Sequence, residues 1–342
     1  MGLFPGDKDF FGLDIGSSAI RIIELRRWGG NYSLAKNGSV NIPIGLSQSD
    51  SSIDSKQLAE IIKQLVKNLN IGTKNVVAAL PGSAVFTTVV KMPQMSSREI
   101  EKAIKWQAEQ NIPLKIDEVT VSWQVINPGI GERKEMAVMI VAAPNEKVER
   151  LIRLLEQANL SSLHIETVPV ALSRSLGKTQ GVKTLIVDIG ALTTEIAIVQ
   201  DEVLFQSRSL SVAGFTFTRA ISQNLGVDLS QAEQFKRKFG LAKDKLDGQI
   251  FKTLEPILSG IIEEIKRSMK FYQEQLGGSI EKIVLSGGSA RLPELTSYFS
   301  TILETDVEVG NPWVGISYSS SQEPSLSGTY AEYSTAIGLA KR

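Results

Sequence analysis

Two short segments, far apart in this chain, carry the same residue types in the same order. Gly12-Leu13-Asp14-Ile15-Gly16-Ser17-Ser18 lies between Phe10-Phe11 and the apolar Ile20, Ile22, Ile23 and Leu25. Ile186-Val187-Asp188-Ile189-Gly190-Ala191-Leu192 lies between Leu185 and Thr194, Ile196 and Ile198. Each reads as a strand, a tight glycine turn and a second strand, with one aspartate near the strand end. Backbone N–H groups of such a turn cradle phosphate oxygens. A carboxylate beside the turn can hold Mg²⁺, usually through the waters of the ion. Repetition at this distance predicts two similar halves that face each other and grip a nucleotide's phosphate chain from both sides. Asp14 and Asp188 are the candidate Mg²⁺ groups, and Gly16, Ser17, Ser18, Gly190 and Ala191 the candidate phosphate contacts. Taken singly, either copy is equally a plain hairpin with an aspartate before its turn.

A third segment, Lys282 to Leu295, runs from the apolar Ile283-Val284-Leu285 into Ser286-Gly287-Gly288-Ser289-Ala290-Arg291. It predicts a buried strand that ends in two glycines and enters a helix. Missing Cβ atoms let a base or an α-phosphate approach the backbone, and a helix N-terminus favours anions. Gly287, Gly288, Ser289 and Arg291 therefore join the candidate cofactor contacts, although strand-Gly-Gly-helix alone is common. Glu233 and Lys236 stand three apart on one helical face. They are candidates for ribose hydroxyls, or else an exposed ion pair. Gly214 is a candidate third phosphate contact, or a plain turn.

The elements that must hold these residues follow from periodicity. Leu58, Ile61, Ile62, Leu65, Val66 and Leu69 recur at helical spacing. Val76 to Leu80 and Val85 to Val90 read as strands. Ser96-Ser97-Arg98-Glu99 resembles a capping box that opens a helix through Trp106, ended by Pro113. Val119 to Val125 and Met136 to Val141 read as strands joined by a turn at Pro128-Gly129-Ile130-Gly131, so 91–143 reads as a small compact unit. Helices are predicted over 145–158, 168–176, 215–225 and 228–239, the last with Ser230 as N-cap. A long helix carrying Ile257, Ile261, Ile265, Met269, Tyr272 and Leu276 on one face stops at Gly277-Gly278. Residues 310–329 read as a loop and Tyr330 to Ala340 as a final helix. Its small residues Thr335, Ala336 and Gly338 allow close crossing over a helix at Val170-Ala171-Leu172.

Composition excludes several classes. The 342 residues are enough for about two to three domains. Lys+Arg and Asp+Glu are both 37, so no net basic field points to nucleic acid. There is no cysteine, hence no disulfide and no thiol nucleophile. The single His164 argues against a Ser-His-Asp hydrolase and reads as a surface or packing residue. Met1 to Lys8 does not have the pattern of a signal peptide. No stretch approaches the ~18 apolar residues of a membrane span, and with the absence of cysteine and of a signal peptide this predicts a soluble protein of a reducing compartment.

The order of hairpin, hairpin and Ser-Gly-Gly-Ser-Ala-Arg-Leu resembles the superfamily of actin, sugar kinases and heat-shock chaperones. Within it, the chain is similar to the actin-like PilM family of type IV pilus assembly, relatives of the division protein FtsA. The stretches that carry this are Ala79-Leu80-Pro81-Gly82-Ser83-Ala84-Val85, Met92-Pro93-Gln94-Met95-Ser96, Ala108-Glu109-Gln110-Asn111-Ile112-Pro113-Leu114 and Trp123-Gln124-Val125. The resemblance implies an α/β, actin-like (ribonuclease H-like) two-lobed fold around a central nucleotide cleft. Its expected parts are a first lobe over 1–181 with the subdomain 91–143 inserted, a second lobe over 182–329, and a helix over 330–342 returning to the first. It also implies ATP with Mg²⁺ as cofactor, and as partner the cytoplasmic N-terminal peptide of PilN, a single-span inner-membrane protein. Recruitment to the inner membrane through that partner, a link to the pilus motor ATPases and a role in twitching motility follow. The family often has aspartate after Thr193-Thr194, and here Glu195 stands in its place. No residue is marked as a water-activating base, so ATP hydrolysis is expected to be slow or absent. Two rivals are an FtsA-like filament protein and a small-metabolite kinase. The first should end in an amphipathic membrane helix, but here Ala340-Lys341-Arg342 follow the last core helix. The second needs a substrate-side acid or base, and no motif offers one.

Overall fold

A computed structural model describes residues 9–127, 135–320, 322, 328 and 330–342. Met1 to Lys8 and the turn expected at Pro128 to Gly131 lie outside the described residues. The chain opens with β1 (Phe11–Ile15), β2 (Ala19–Trp28), β3 (Asn31–Asn41), α1 (Ser52–Asn68) and β4 (Asn75–Leu80). Then come β5 (Phe86–Pro93), α2 (Ser97–Asn111), β6 (Val119–Asn127) and β7 (Glu135–Pro144). α3 (Asn145–Gln157), β8 (Ser161–Thr167) and α4 (Val168–Leu176) follow. Next are β9 (Thr184–Ile189), β10 (Thr194–Gln200), β11 (Val203–Leu210), α5 (Gly214–Leu225), α6 (Leu229–Phe239) and α7 (Gln249–Leu276). The chain closes with β12 (Lys282–Ser286), α8 (Leu295–Leu303), β13 (Asp306–Val309), β14 (Ile316–Ser317) and α9 (Ser334–Ala340).

Two sheets repeat one design. One runs β14-β3-β2-β1-β4-β8, the other β11-β10-β9-β12-β13. In each, three antiparallel strands lead into two parallel ones, across β1–β4–β8 and β9–β12–β13. The two hairpins read from the sequence therefore hold equivalent places. Their registers pair Asp14 with Arg21 and Asp188 with Glu195. Strands buried on both faces are apolar throughout rather than alternating. Leu185, Val187 and Ile189 of β9 join the core built on Ile261 and Ile265 of α7. Ile186, between them, joins a different core with Leu172 and Met139.

The third sheet is β5-β7-β6. The capping box at Ser96 and Glu99 starts α2, whose Ile100 and Ile104 pack on Val138 and Ile140. The sheet's other face puts Ala137 and Met139 against Leu172, Ala197, Val199 and Leu204. The inserted unit is thus seated on β10, β11 and α4 instead of projecting freely. Met136 to Val141 lies in the central strand, and β5 and β6 are the edges. Two further expectations change. α6 is capped by Asp228, whose carboxylate accepts from the N–H of Gln231, because Ser230 already lies inside the helix. α8 begins only at Leu295, so Gly287-Gly288 leads into a turn and not a helix N-terminus. The long helix begins at Gln249, two turns ahead of Ile257. His164 is exposed on the edge strand β8.

Candidate functional site

A cleft of ≈ 720 Å³ opens where the two hairpins meet. Both turns close in the same way. The N–H of Gly16 donates to the carbonyl of Ala19 at 3.0 Å, and that of Gly190 to Thr193 at 3.0 Å. Gly16, Ser17 and Ser18 line one wall, and Gly190 and Ala191 the other. The start of α5 is lashed to the second turn: Gly214 N–H donates to Gly190 O (3.0 Å) and Phe215 N–H to Ala191 O (2.8 Å). Ser289 N–H reaches Ile189 O at 3.1 Å. Gly214, Gly287, Gly288 and Ser289 therefore converge on the same wall. Arg291 does not line it. That side chain is exposed and its guanidinium lies 5.5 Å from the Tyr330 ring centre, a cation–π distance.

Asp14 and Asp188 come from different sheets into one cleft. Burial pushes Asp14 up to about 6, against the pull of Arg21, and the charge of Asp188 adds to the rise. Arg21 stands 3.9 Å from Asp14 and also pairs with Glu332, just ahead of α9. Burial likewise raises Asp188, opposed by a hydrogen bond with Ser286 and by Arg21. Among the described residues no three acidic or histidine side chains gather closely enough to hold an ion alone. Hard oxygen donors that line one cleft with two phosphate-type turns instead suit Mg²⁺ that arrives with phosphates and keeps its waters.

Glu233 and Lys236 also line the cleft, but they are committed to each other. The Lys236 ammonium donates to Glu233 Oε2 (2.6 Å), Gly214 O (2.9 Å) and Thr218 Oγ1 (2.9 Å). Burial lowers its pKa. Burial pushes Glu233 up, and bonds from Lys236, Thr218 and Arg237 outweigh that, leaving it below its ordinary value. Lys236 thus braces the start of α5. Sequence reasoning missed Arg21 and Glu332 as site residues and left Glu195 without a role. Arg21 was visible as the cross-strand partner of Asp14 once the hairpin register is drawn. Glu332 had no local signal.

The proton on Asp14 has a testable consequence. Its folded value of about 6 lies above the ordinary 3.8, so the nucleotide-free protein binds that proton more tightly folded than unfolded. This contribution is full below about pH 4 and is lost as pH rises through 6. Asp14→Asn should therefore match wild type near pH 4 and exceed it in stability near pH 7.5, by about 3 kcal/mol at most. Urea unfolding of both proteins at the two pH values checks this. A constant difference would show that Asp14 is not buried as described.

Residues 12–342 match the profile of the family described as type IV pilus assembly protein PilM. The chain belongs to the PilM family. Among solved structures, the PilM–PilN type IV pilus biogenesis complex superposes with a TM-score of 0.84 at 29% identity, over 98% of both chains. MreB5 of Spiroplasma citri bound to ADP superposes at 0.58 and 15% identity, over 98% of this chain and 95% of that one, which is a likeness of fold. The actin-like α/β fold that the resemblance implied is therefore the one adopted. FtsA of Neisseria meningitidis serogroup B is 25% identical over 261 residues, 65% of this chain and 62% of FtsA. FtsA of Bacillus subtilis is 26% identical over 238 residues, 61% of this chain and 50% of FtsA. The alignments thus span about half to two thirds of those relatives. Among the described residues no helix is long and apolar enough to cross a membrane.

Proposed function

We propose that this PilM-family chain binds Mg·ATP between its hairpins and, in that state, presents the inserted sheet to the cytoplasmic N-terminal peptide of a PilN-like inner-membrane protein. The observation that carries this reading is the pair of identically closed turns, Gly16–Ala19 and Gly190–Thr193, with Asp14 and Asp188 between them. The turns supply amides to phosphates. Mg²⁺ supplies the positive charge that lets two carboxylates and a phosphate chain share the cleft. Asp14 and Asp188 orient its waters, and Gly287, Gly288 and Ser289 back the nucleoside. The solved PilM–PilN complex supports the choice of partner. Peripheral recruitment to the inner membrane, and any link to motor ATPases, would follow from that contact.

An open sheet edge accepts an extended peptide through backbone pairing and side-chain pockets. Phe86 on the β5 edge and Trp106 on α2 are exposed apolar groups on the inserted unit. Removing 91–143 outright would uncover Leu172, Ala197 and Val199, so point changes are the better probe. Calorimetry should show Mg·ATP binding, and the intact chain should capture a synthetic PilN-like N-terminal peptide. Phe86→Ser with Trp106→Ala should weaken capture at least tenfold and spare nucleotide affinity. Capture unaffected by these changes, or recruitment to bare lipid vesicles, would defeat the peptide reading.

Turnover is expected to be slow. Burial pushes Glu195 up to about 7, against a Ser209 hydrogen bond and helped by the charge of Asp188. One of its oxygens is already held by the Gly82 N–H and by Ser209, which suits a fixed bracket better than a mobile base. Several turnovers per second, lost in Glu195→Gln, would instead make the chain a phosphoryl-transfer enzyme.

A further inference from the structure

Glu195 lies where the cleft meets the inserted unit. It sits on β10, opposite Asp188 on one side and Ser209 on the other, and it lines the cleft. Its Oε1 accepts the N–H of Gly82 at 3.1 Å and the Ser209 hydroxyl at 3.0 Å. Gly82 to Ala84 form the single turn that leads from β4 into β5. Pro81, just before that turn, also lines the cleft. The side chain of a residue in one half therefore holds the backbone that feeds the inserted sheet from the other. The approach is so close that a Cβ at Gly82 would overlap the Glu195 carboxylate. Oε2 is buried and has no hydrogen-bond partner among the described residues. A buried acceptor left unpaired is costly, and this one belongs to a cleft-lining residue.

We infer that Glu195 is a positioning residue that couples occupancy of the cleft to the inserted sheet. This rests on the reading of the cleft as a Mg·ATP site. A donor carried in with the nucleotide, such as a water of its shell, completes Oε2 and settles the carboxylate. The bond from the Gly82 N–H then holds the lead-in to β5 in one position. Without the nucleotide the carboxylate is held from one side only, and the lead-in turn opens more often. The inserted sheet is stiffened or released accordingly, and with it the edges offered to a peptide. Coupling of this kind is a free-energy difference between two sites and is measurable without either partner's activity.

The test is amide hydrogen exchange of the full chain, with and without Mg·ATP at a concentration that calorimetry shows to be saturating for each protein. In wild type, Mg·ATP should slow exchange of peptides covering 82–92 by ~5-fold or more, the low end of typical coupling. In Gly82→Ala, where the added methyl displaces the carboxylate, the nucleotide should still bind but the slowing should fall below about twofold. Glu195→Ala should lose the slowing in the same way. If alanine there unfolds the chain, Glu195→Gln, which puts an amide donor in place of an oxygen, takes its place. Equal nucleotide-dependent slowing in wild type and variants overturns the coupling and leaves the ATP reading intact. No nucleotide binding by wild type overturns the reading, and the coupling with it.

Discussion

Gly338→Val is expected to lower stability by ~3 kcal/mol or more, at the severe end of overpacking substitutions. All seven residues of α9 are buried. A Cβ at Gly338 would overlap the carbonyl oxygen of Ala171 on α4. On the other side of the helix, a Cβ at Gly12 of β1 would overlap the Ala336 carbonyl and stand 2.6 Å from the Ala340 nitrogen. Backbone presses on backbone at both crossings, so no rotamer change relieves the clash. α9 must move, and it carries Thr335 at the cleft and follows Glu332, the partner of Arg21. Gly260 on α7 has open space around its Cβ position. Gly260→Ala should be neutral or stabilising by up to about 1 kcal/mol. Urea unfolding of the two variants beside wild type decides the matter. Coincident midpoints for Gly338→Val and wild type would mean that the α4–α9 crossing is looser than described.

Asp188→Asn should weaken Mg·ATP binding by about 100-fold, which is ~2.7 kcal/mol. The same change should stabilise the nucleotide-free protein. The two effects have opposite signs for one reason. Asp188 is a buried carboxylate whose ionised form is disfavoured in the empty cleft, because burial removes water from the charge. Mg²⁺ and its bound phosphates reverse that preference. Asn keeps the size and the hydrogen-bonding reach toward Ser286 but lacks the charge. Asp14→Ala should also weaken binding, with a smaller loss, because Arg21 already neutralises part of that charge at 3.9 Å. Calorimetric titration with Mg·ATP at pH 7.5, paired with thermal unfolding of the nucleotide-free proteins, gives both numbers. Unchanged affinity in either folded variant would remove that residue from the site.

Much of this was legible in the sequence, because the signals involved are local. A strand that ends in an aspartate and a glycine turn needs only its own residues, so both hairpins and their equivalence could be read before any coordinates. The Ser96–Glu99 capping box and the helix end at Gly277 are likewise short-range chemistry. Gly338 and Ala171 could be matched as small residues on helices. The tertiary structure decided what depends on partners distant in sequence. Arg21 meets Glu332 across 311 positions, and Glu195 meets Gly82 across 113; no periodicity encodes either meeting. Glu195 stood in the sequence as a departure from the family's aspartate with no assigned role, and only the fold puts its oxygen on the turn that feeds the inserted sheet. β7 reads as an edge or a central strand equally well from its apolar pattern, because an alternating or continuous run reports burial and not neighbours. Arg291 turned outward because the chain after Gly288 makes a turn before α8 begins. Residue types set which groups can bind phosphate, cation and backbone. Which of them face one another was settled only when two sheets, an inserted sheet and one buried helix packed together, since packing selects partners by shape and desolvation over the whole chain.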